Sequence, residues 1–400
     1  MVYNNIVFTF NKIVAMDNNQ FIFNKFVTGK NFFGRVSETK IFRNLIEQGE
    51  NVAIFEPPKA GKTSFIMNTF YNMNISGVNF TPVICSLLPV RTSAELALRF
   101  GSAVLAAFGK THGEHSANVE RYLSGTHFVF DPEAFVSGGD ILSTNWDIDD
   151  DDLKAVFKLP YKIAKDKSSK AIIVFEEFQN VNFTEDPDSI CGMLHNIFDT
   201  LDENFRGCCA YVFTGSEVNA MKDIFTQRKL FYRRVSVLHL EPLETRDIID
   251  HSVKCFLSSG KVLDRELMLG ICHLFKDNIY YINHFCFICD SLSKGYVMEP
   301  TLKEALESLI AIHEPRFIST MNSLTNFQMN LLRAIVDGHN RFSSSDVISR
   351  YGLNSSANVR RLKDALCKKE IITFDDNDNP QFLDPLFEYW TRKTYFKIPE

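Results

Sequence analysis

The stretch EPPKAGKTSF, residues 56–65, ends in Gly61-Lys62-Thr63 and carries the residue types of a phosphate-cradling loop. The chemistry is electrostatic: backbone N–H groups curl round phosphate oxygens at a helix N-terminus, where the helix dipole already favours an anion. Gly61 lets the main chain come close, the Lys62 ammonium is placed for the β- and γ-phosphates, and the Thr63 hydroxyl is a ligand for Mg²⁺. The glycine that usually opens such a loop is absent. Glu56 stands there, followed by Pro57 and Pro58, which pre-set the turn by fixing φ but withdraw two N–H donors. Lys59, Ala60 and Ser64 complete the candidate nucleotide-contacting run.

A second constellation lies downstream. The apolar run AIIVF reads as a buried strand and ends in Glu176-Glu177. Two carboxylates at the tip of such a strand are costly unless they have a task. In a phosphoryl-transfer site the first holds the Mg²⁺ shell and the second polarises the attacking water. Glu176 takes a place usually held by Asp, and its extra methylene shifts the metal or admits an intervening water. The plain alternative is a solvated strand end, against which the preceding loop weighs. VFTGS then brings Thr214 and Ser216 to the end of the next strand, suited to sensing a γ-phosphate or orienting water; taken singly, both are ordinary strand-end caps.

These groups need a scaffold, and the pattern supplies one. NVAIFE is a short buried strand, GKTSFIMNTFYNM a helix with Phe65, Ile66 and Phe70 on one face, TPVICSLL a second strand, and SAELALRFGSAVLAAFG a second helix. A polar, glycine-containing stretch from Lys110 to Trp146 reads as an excursion. DIDDDD (147–152) reads as a helix start rather than a metal site, because carboxylates suit the positive end of a helix and no glycine turn or spaced ligands follow. KAIIVFEE and CCAYVFTG are further strands, with a helix between them, and RVSVLHLEPL is a fifth. Strands alternating with helices predict a parallel α/β sheet. After Pro242 the strand signal stops and residues 244–320 read as all-helical. The last eighty residues read as three short helices followed by IITF-DDNDNP-QFL, a hairpin, which is the winged-helix order. The expected organisation is an N-terminal arm (1–24), a core (25–243, excursion about 110–146), a helical lid (244–320) and a winged helix (321–400).

Composition sets bounds. Four hundred residues exceed one ordinary core. With 45% hydrophobic and 23% charged residues the chain is globular rather than disordered or fibrous, and 37 Phe can fill several cores. A net charge of −6 gives no whole-chain drive toward nucleic acid or an anionic membrane. No apolar run approaches the roughly 20 residues that span a bilayer, and MVYNNIVFTFNKIV lacks the features of a signal peptide. Nine cysteines without framework spacing point to free, mostly buried thiols in a reducing cytoplasm. Cys286 and Cys289, near His284, read as helix core rather than zinc ligands, since no second ligand pair follows.

NKFVTGKNFFGRVSE, EPPKAGKTSF, VFEEFQNV, YVFTGSEVNAMKDIF and FYRRVSVLHLEPL together resemble the archaeal-type AAA ATPases, in the branch of P-loop NTPases that includes STAND switches and origin-recognition initiators. YGLNSSANVRRLKDALCKKEIITF and FLDPLFEYW are similar to the winged-helix tail of bacterial members, so the likeness runs over about residues 22–400. In that branch the first loop glycine is often replaced. The resemblance implies that Phe33, Gly34 and Arg35 border the base and ribose and that Glu177 is the catalytic glutamate. It implies that Arg233 or Arg234 offers an arginine to a neighbouring subunit's γ-phosphate, hence self-association. A solvated basic patch before a strand is the even alternative for those arginines. KDNIYYINHF matches the lid motif, with Ile279 in place of its proline.

The expected activity is Mg-ATP binding and slow hydrolysis by a switch that reports its state to a protein partner or another copy. A DNA-binding ATPase and a nucleotide-binding scaffold with little turnover are the alternatives. Between Arg341 and Phe374 seven basic residues face three acidic ones, and Asn358, Arg360, Arg361 and Lys363 lie early on the helix that would enter a groove. The acidic hairpin tip DDNDN weighs against DNA.

Overall fold

The computed structural model describes residues 20–375 and 377–398, so residues 1–19 of the expected arm and Asp376 of the hairpin tip lie outside the described residues. The chain divides into two compact units. One holds Arg35–Glu56 and Phe65–Leu240; the other holds the described chain up to Gly34, Pro57–Ser64, and the chain from Glu241 onward.

The first unit is built on five strands: β1 (Asn51–Phe55), β2 (Phe80–Ser86), β3 (Lys170–Glu176), β4 (Cys209–Gly215) and β5 (Val235–Val237). Their order is β2-β3-β4-β1-β5 and every pairing is parallel. Buried on both faces, β3 and β4 are the near-continuous apolar runs such a sheet demands. Phe175, Phe178, Phe213, Phe225 and Phe231 interlock over the sheet with ring centroids 4.7 Å apart at Phe178–Phe213 and 5.2 Å at Phe213–Phe231, one destination of the phenylalanine surplus. DIDDDD opens the helix Asp150–Asp166. Asp149 Oδ1 accepts the N–H groups of Asp151 and Asp152, and Asp152 Oδ2 accepts the Asp149 N–H, a reciprocal cap. The stretch 110–146 folds into the helix His112–Tyr122 and a hairpin pairing Phe128–Phe130 with Leu142–Thr144.

The second unit has helices Thr245–Ser258, Arg265–Leu274, Ile279–Leu292 and Glu299–Asn322. The all-helical reading of this stretch missed a two-residue parallel pairing of Val262–Leu263 with Tyr296–Val297, too short to leave a pattern. Cys286 and Cys289 are fully buried with Cys272, and burial pushes the Cys272 and Cys289 thiols up to about 12. They are neutral core groups. Among the described residues the one group of three metal-capable side chains is His127, Asp149 and Asp152, whose carboxylates are occupied by capping and by the His127 ring, 2.8 Å from Asp152 Oδ2. From Asn326 come helices Asn326–Val336, Ser345–Tyr351 and Ser356–Lys368, a hairpin pairing Ile372–Phe374 with Pro380–Phe382, and a closing helix Pro385–Trp390. Among the described residues no helix is long and apolar enough to cross a membrane.

Candidate functional site

In a parallel sheet all C-terminal strand ends meet at one edge, where ligands of open α/β folds bind. That edge gathers Glu56 after β1, Glu176 and Glu177 at the end of β3, and Thr214 and Ser216 at the end of β4. Glu177 has φ 54°, left-handed backbone that a glutamate rarely adopts. The turn brings its carboxylate to three donors on one oxygen. Ser216 Oγ and Gln179 Nε2 each lie 2.6 Å from Oε2, and the Ser216 N–H lies 3.2 Å away. Glu217 is raised above the usual carboxylate range by burial and then by the charge of Glu177.

Pattern reasoning missed Gln179, whose amide donates to Glu177. The Gln179 side chain is almost wholly buried, with Oε1 unpartnered among the described residues, and Gly215 makes room for it. A Cβ there would stand 2.4 Å from Met221 Cγ and 2.6 Å from Gln179 Oε1. The signal in the sequence is the Gln two residues beyond Glu177 and the Gly of VFTGS. Thr214 is placed differently from Ser216. It is buried and donates its hydroxyl to the Phe175 carbonyl at 3.1 Å, stapling β4 to β3. Glu56, the replacement for glycine, accepts the Leu240 N–H at 3.0 Å, and its Oε1 lies 3.5 Å from His239 Nδ1. Its carboxylate is a backbone anchor for the chain leaving β5.

The loop Pro57–Ser64 belongs to the other unit. Its left-handed residues are Lys59 (φ 68°) and Gly61 (φ 91°), and a Cβ on Gly61 would meet nothing within 4 Å among the described residues. Lys62 opens the helix Lys62–Ile75, and its ammonium curls back onto the Pro57 carbonyl at 3.1 Å. A lysine at the positive end of a helix is unfavourable unless an anion joins it. Thr63 is exposed, whereas Ser64 Oγ accepts the Val27 N–H at 3.2 Å and ties the preceding segment to the loop. In that segment the Phe33 ring stacks on His251 at 4.3 Å, Gly34 (φ 69°) leaves no room for a Cβ against Leu243, and Arg35 is the left-handed residue that starts the next helix.

Arg233 and Arg234 are not brought to the Glu177 edge. Val235 pairs with Asn51, the first residue of β1, so both arginines lie at the N-terminal ends of the strands. Arg234 is held by Asp199, and its carbonyl accepts the Asn51 amide at 3.1 Å. Arg233, at φ 61°, places its guanidinium 5.1 Å over the exposed Tyr232 ring.

In the terminal domain, Ser355 caps the helix Ser356–Lys368 through the Asn358 N–H, and the Asn358 amide donates to the Leu353 carbonyl at 3.0 Å. Arg360 and Arg361 are exposed. Lys363 is ion-paired with Asp378 of the hairpin at 2.5 Å and lies 4.0 Å over Phe374.

A five-stranded parallel sheet of this order, a Gly-Lys-Thr loop after β1, paired glutamates at a strand tip and a helical segment further along the chain define a P-loop NTPase fold ending in a winged helix. A family model described as "Probable winged helix domain" matches residues 315–393. The chain is similar in structure to the Walker-type ATPase PABY2304 of Pyrococcus abyssi, with a TM-score of 0.66 at 14% identity over 93% of this chain and 99% of that one. It is also similar to the Aeropyrum pernix ORC2 protein in its ADP form, with a TM-score of 0.56 at 12% identity over 96% of this chain and 99% of that one. No curated protein matches. The fold is therefore that of the archaeal-type Walker ATPases, as the motif resemblance implied.

Proposed function

We propose that the protein is a Mg-ATP-binding and hydrolysing switch. The observation that carries this reading is Glu177, a carboxylate held by three donors on a left-handed turn at the strand edge from which the Gly-Lys-Thr loop departs. Left-handed geometry costs a non-glycine residue about 1–2 kcal/mol, which marks positions whose placement is over-determined. In this reading Glu177 takes a proton from, or orients, the water that attacks the γ-phosphate, while Ser216 and Gln179 aim it. Phosphate oxygens are met by the N–H groups of 59–63 and by Lys62, whose ammonium leaves the Pro57 carbonyl for the anion. Phe33 and Arg35 border the base and ribose. The Thr63 hydroxyl and the Glu176 carboxylate are hard oxygen donors of the kind Mg²⁺ takes, and the ion supplies charge neutralisation at the transferring phosphoryl group. Arg233, exposed at the opposite strand ends from Glu177, is suited to serve a neighbouring copy rather than its own site.

Two variants test this. Lys62→Ala abolishes heat of binding for magnesium nucleotide, and Glu177→Gln keeps that heat but lowers turnover about 10²–10⁴-fold. Unchanged turnover in Glu177→Gln removes Glu177 from the chemistry; tight binding without turnover in the parent leaves a nucleotide-binding scaffold. DNA binding through the winged helix is the second reading. It is favoured by the exposed Arg360 and Arg361. Duplex affinity that falls steeply with salt and is lost in Arg360→Ala/Arg361→Ala supports it.

A further inference from the structure

The loop residue Lys59 makes a side-chain contact outside the phosphate loop. Position 59 is left-handed, where glycine is at ease and lysine is not. The lysine puts its Nζ 5.1 Å from the centroid of the Tyr280 ring, in the first turn of the helix Ile279–Leu292. A cation over an aromatic face at this distance is an attractive contact. Tyr280 packs edge-on against Tyr281 at 5.1 Å. The buried Tyr281 hydroxyl donates to Asp384 Oδ2 at 2.9 Å, and Arg316 Nη2 reaches the same oxygen at 2.7 Å and the Tyr281 oxygen at 3.0 Å. The other oxygen of Asp384 caps the last helix of the winged domain by accepting the Leu386 and Phe387 N–H groups, each at 3.0 Å. Two further contacts fasten that helix: Trp390 Nε1 donates to Glu314 at 2.9 Å, and Lys276 pairs with Glu388 at 2.5 Å. An unbroken series of side-chain contacts thus runs from the phosphate loop to the cap of the terminal helix.

We propose that Lys59, Tyr280, Tyr281, Arg316 and Asp384 form a relay through which occupancy of the phosphate loop changes the fastening of the winged helix. The proposal rests on the nucleotide-switch reading and names the residues that carry its coupling. The left-handed backbone at residue 59 fixes the direction of the Lys59 side chain. A phosphate drawing on that ammonium weakens its hold on Tyr280. Contacts of this class bias a two-state equilibrium by about two- to fivefold, so the relay modulates and does not lock.

The test uses the full chain, a magnesium complex of a non-hydrolysable ATP analogue, calorimetry for binding, and hydrogen exchange of the amides in Pro385–Trp390. In the parent, nucleotide shifts exchange at Leu386 and Phe387 by about two- to fivefold. In Tyr280→Leu the heat of binding persists and the shift disappears; Tyr280→Phe, which keeps the aromatic face, restores it. A shift that survives in Tyr280→Leu, or a parent that binds nucleotide with no shift, overturns the relay. Absence of any heat in the parent is a separate result, which sinks the nucleotide reading itself.

Discussion

His284 makes the stability of the second unit acid-sensitive, and the size of the effect follows from its surroundings. The side chain is 7% exposed, stacked on Phe23 with centroids 4.1 Å apart, edge-on to His313 at 5.6 Å, and its Nδ1 has no hydrogen-bond partner among the described residues. Burial, followed by the neighbouring His313, pushes its pKa down to about 4. The unfolded chain takes up that proton near the ordinary value of about 6.5. The folded-state value is depressed, so the group's full contribution is present above about 6.5 and is lost as pH falls toward 4; below that both states are protonated and nothing more is lost. Between about pH 7.5 and about pH 5 the loss from this one residue is about 2 kcal/mol. His251 and His313 are also lowered by burial and act in the same direction, so the informative quantity is a difference between variants. His284→Phe keeps the stack on Phe23 and removes the titration. Urea unfolding can be followed through Trp390, which is buried in this unit, in a background where the exposed Trp146 is replaced by Phe. The fall in unfolding free energy over that pH window should be smaller in His284→Phe by about 2 kcal/mol. Parallel pH profiles for the two proteins would refute the argument.

Restoring the loop's usual first glycine should harm rather than help. Glu56→Gly removes the acceptor of the Leu240 N–H and should lower stability by about 1–2 kcal/mol in thermal melts, whereas Glu56→Gln, which keeps an acceptor, should recover most of it. Gly215→Ala places a methyl group within 2.6 Å of Gln179 Oε1 and should cost about 1–3 kcal/mol while lowering turnover more than nucleotide affinity, checked by melts and steady-state kinetics. Asp378→Asn releases Lys363 and should tighten duplex DNA binding at low salt if the winged helix binds DNA, read from a salt titration. In mixtures, a Lys62→Ala copy should rescue hydrolysis by an Arg233→Ala copy if arginine is supplied in trans, and an Arg234→Ala copy should need no such rescue.

The elements that could be read from sequence are those fixed by local pattern. β3 and β4 are apolar runs closed by polar residues, the helix at Lys62 starts where Gly61 ends a turn, and the reciprocal cap at Asp149 is a short-range signature. What sequence could not show depends on partners far along the chain. Glu56 finds its donor at Leu240, and Thr214 faces the Phe175 carbonyl rather than solvent. The Gln179–Glu177 contact is local instead, but it depends on the left-handed turn at Glu177, which hydrophobic periodicity does not mark. The placement of Arg233 at the far strand ends follows from register, with Val235 opposite Asn51, and register is a property of the assembled sheet.

The missing glycine has a physical answer in the loop's dihedrals. A glycine is required where φ is positive or where a side chain would collide, and residue 56 is not among the positions with positive φ. The left-handed burden falls on Lys59 and Gly61 instead. With no conformational demand at position 56, a carboxylate can stand there and anchor the strand exit at Leu240, and the prolines that follow hold the turn without any N–H the helix start needs. Gly61 is the residue with no substitute: at φ 91° any side chain is strained even though the space beside it is open. Gly61→Ala should therefore reduce nucleotide affinity in calorimetric titrations more than Glu56→Gly does. Equal losses at the two positions would mean that phosphate is not held where the chain turns left-handed.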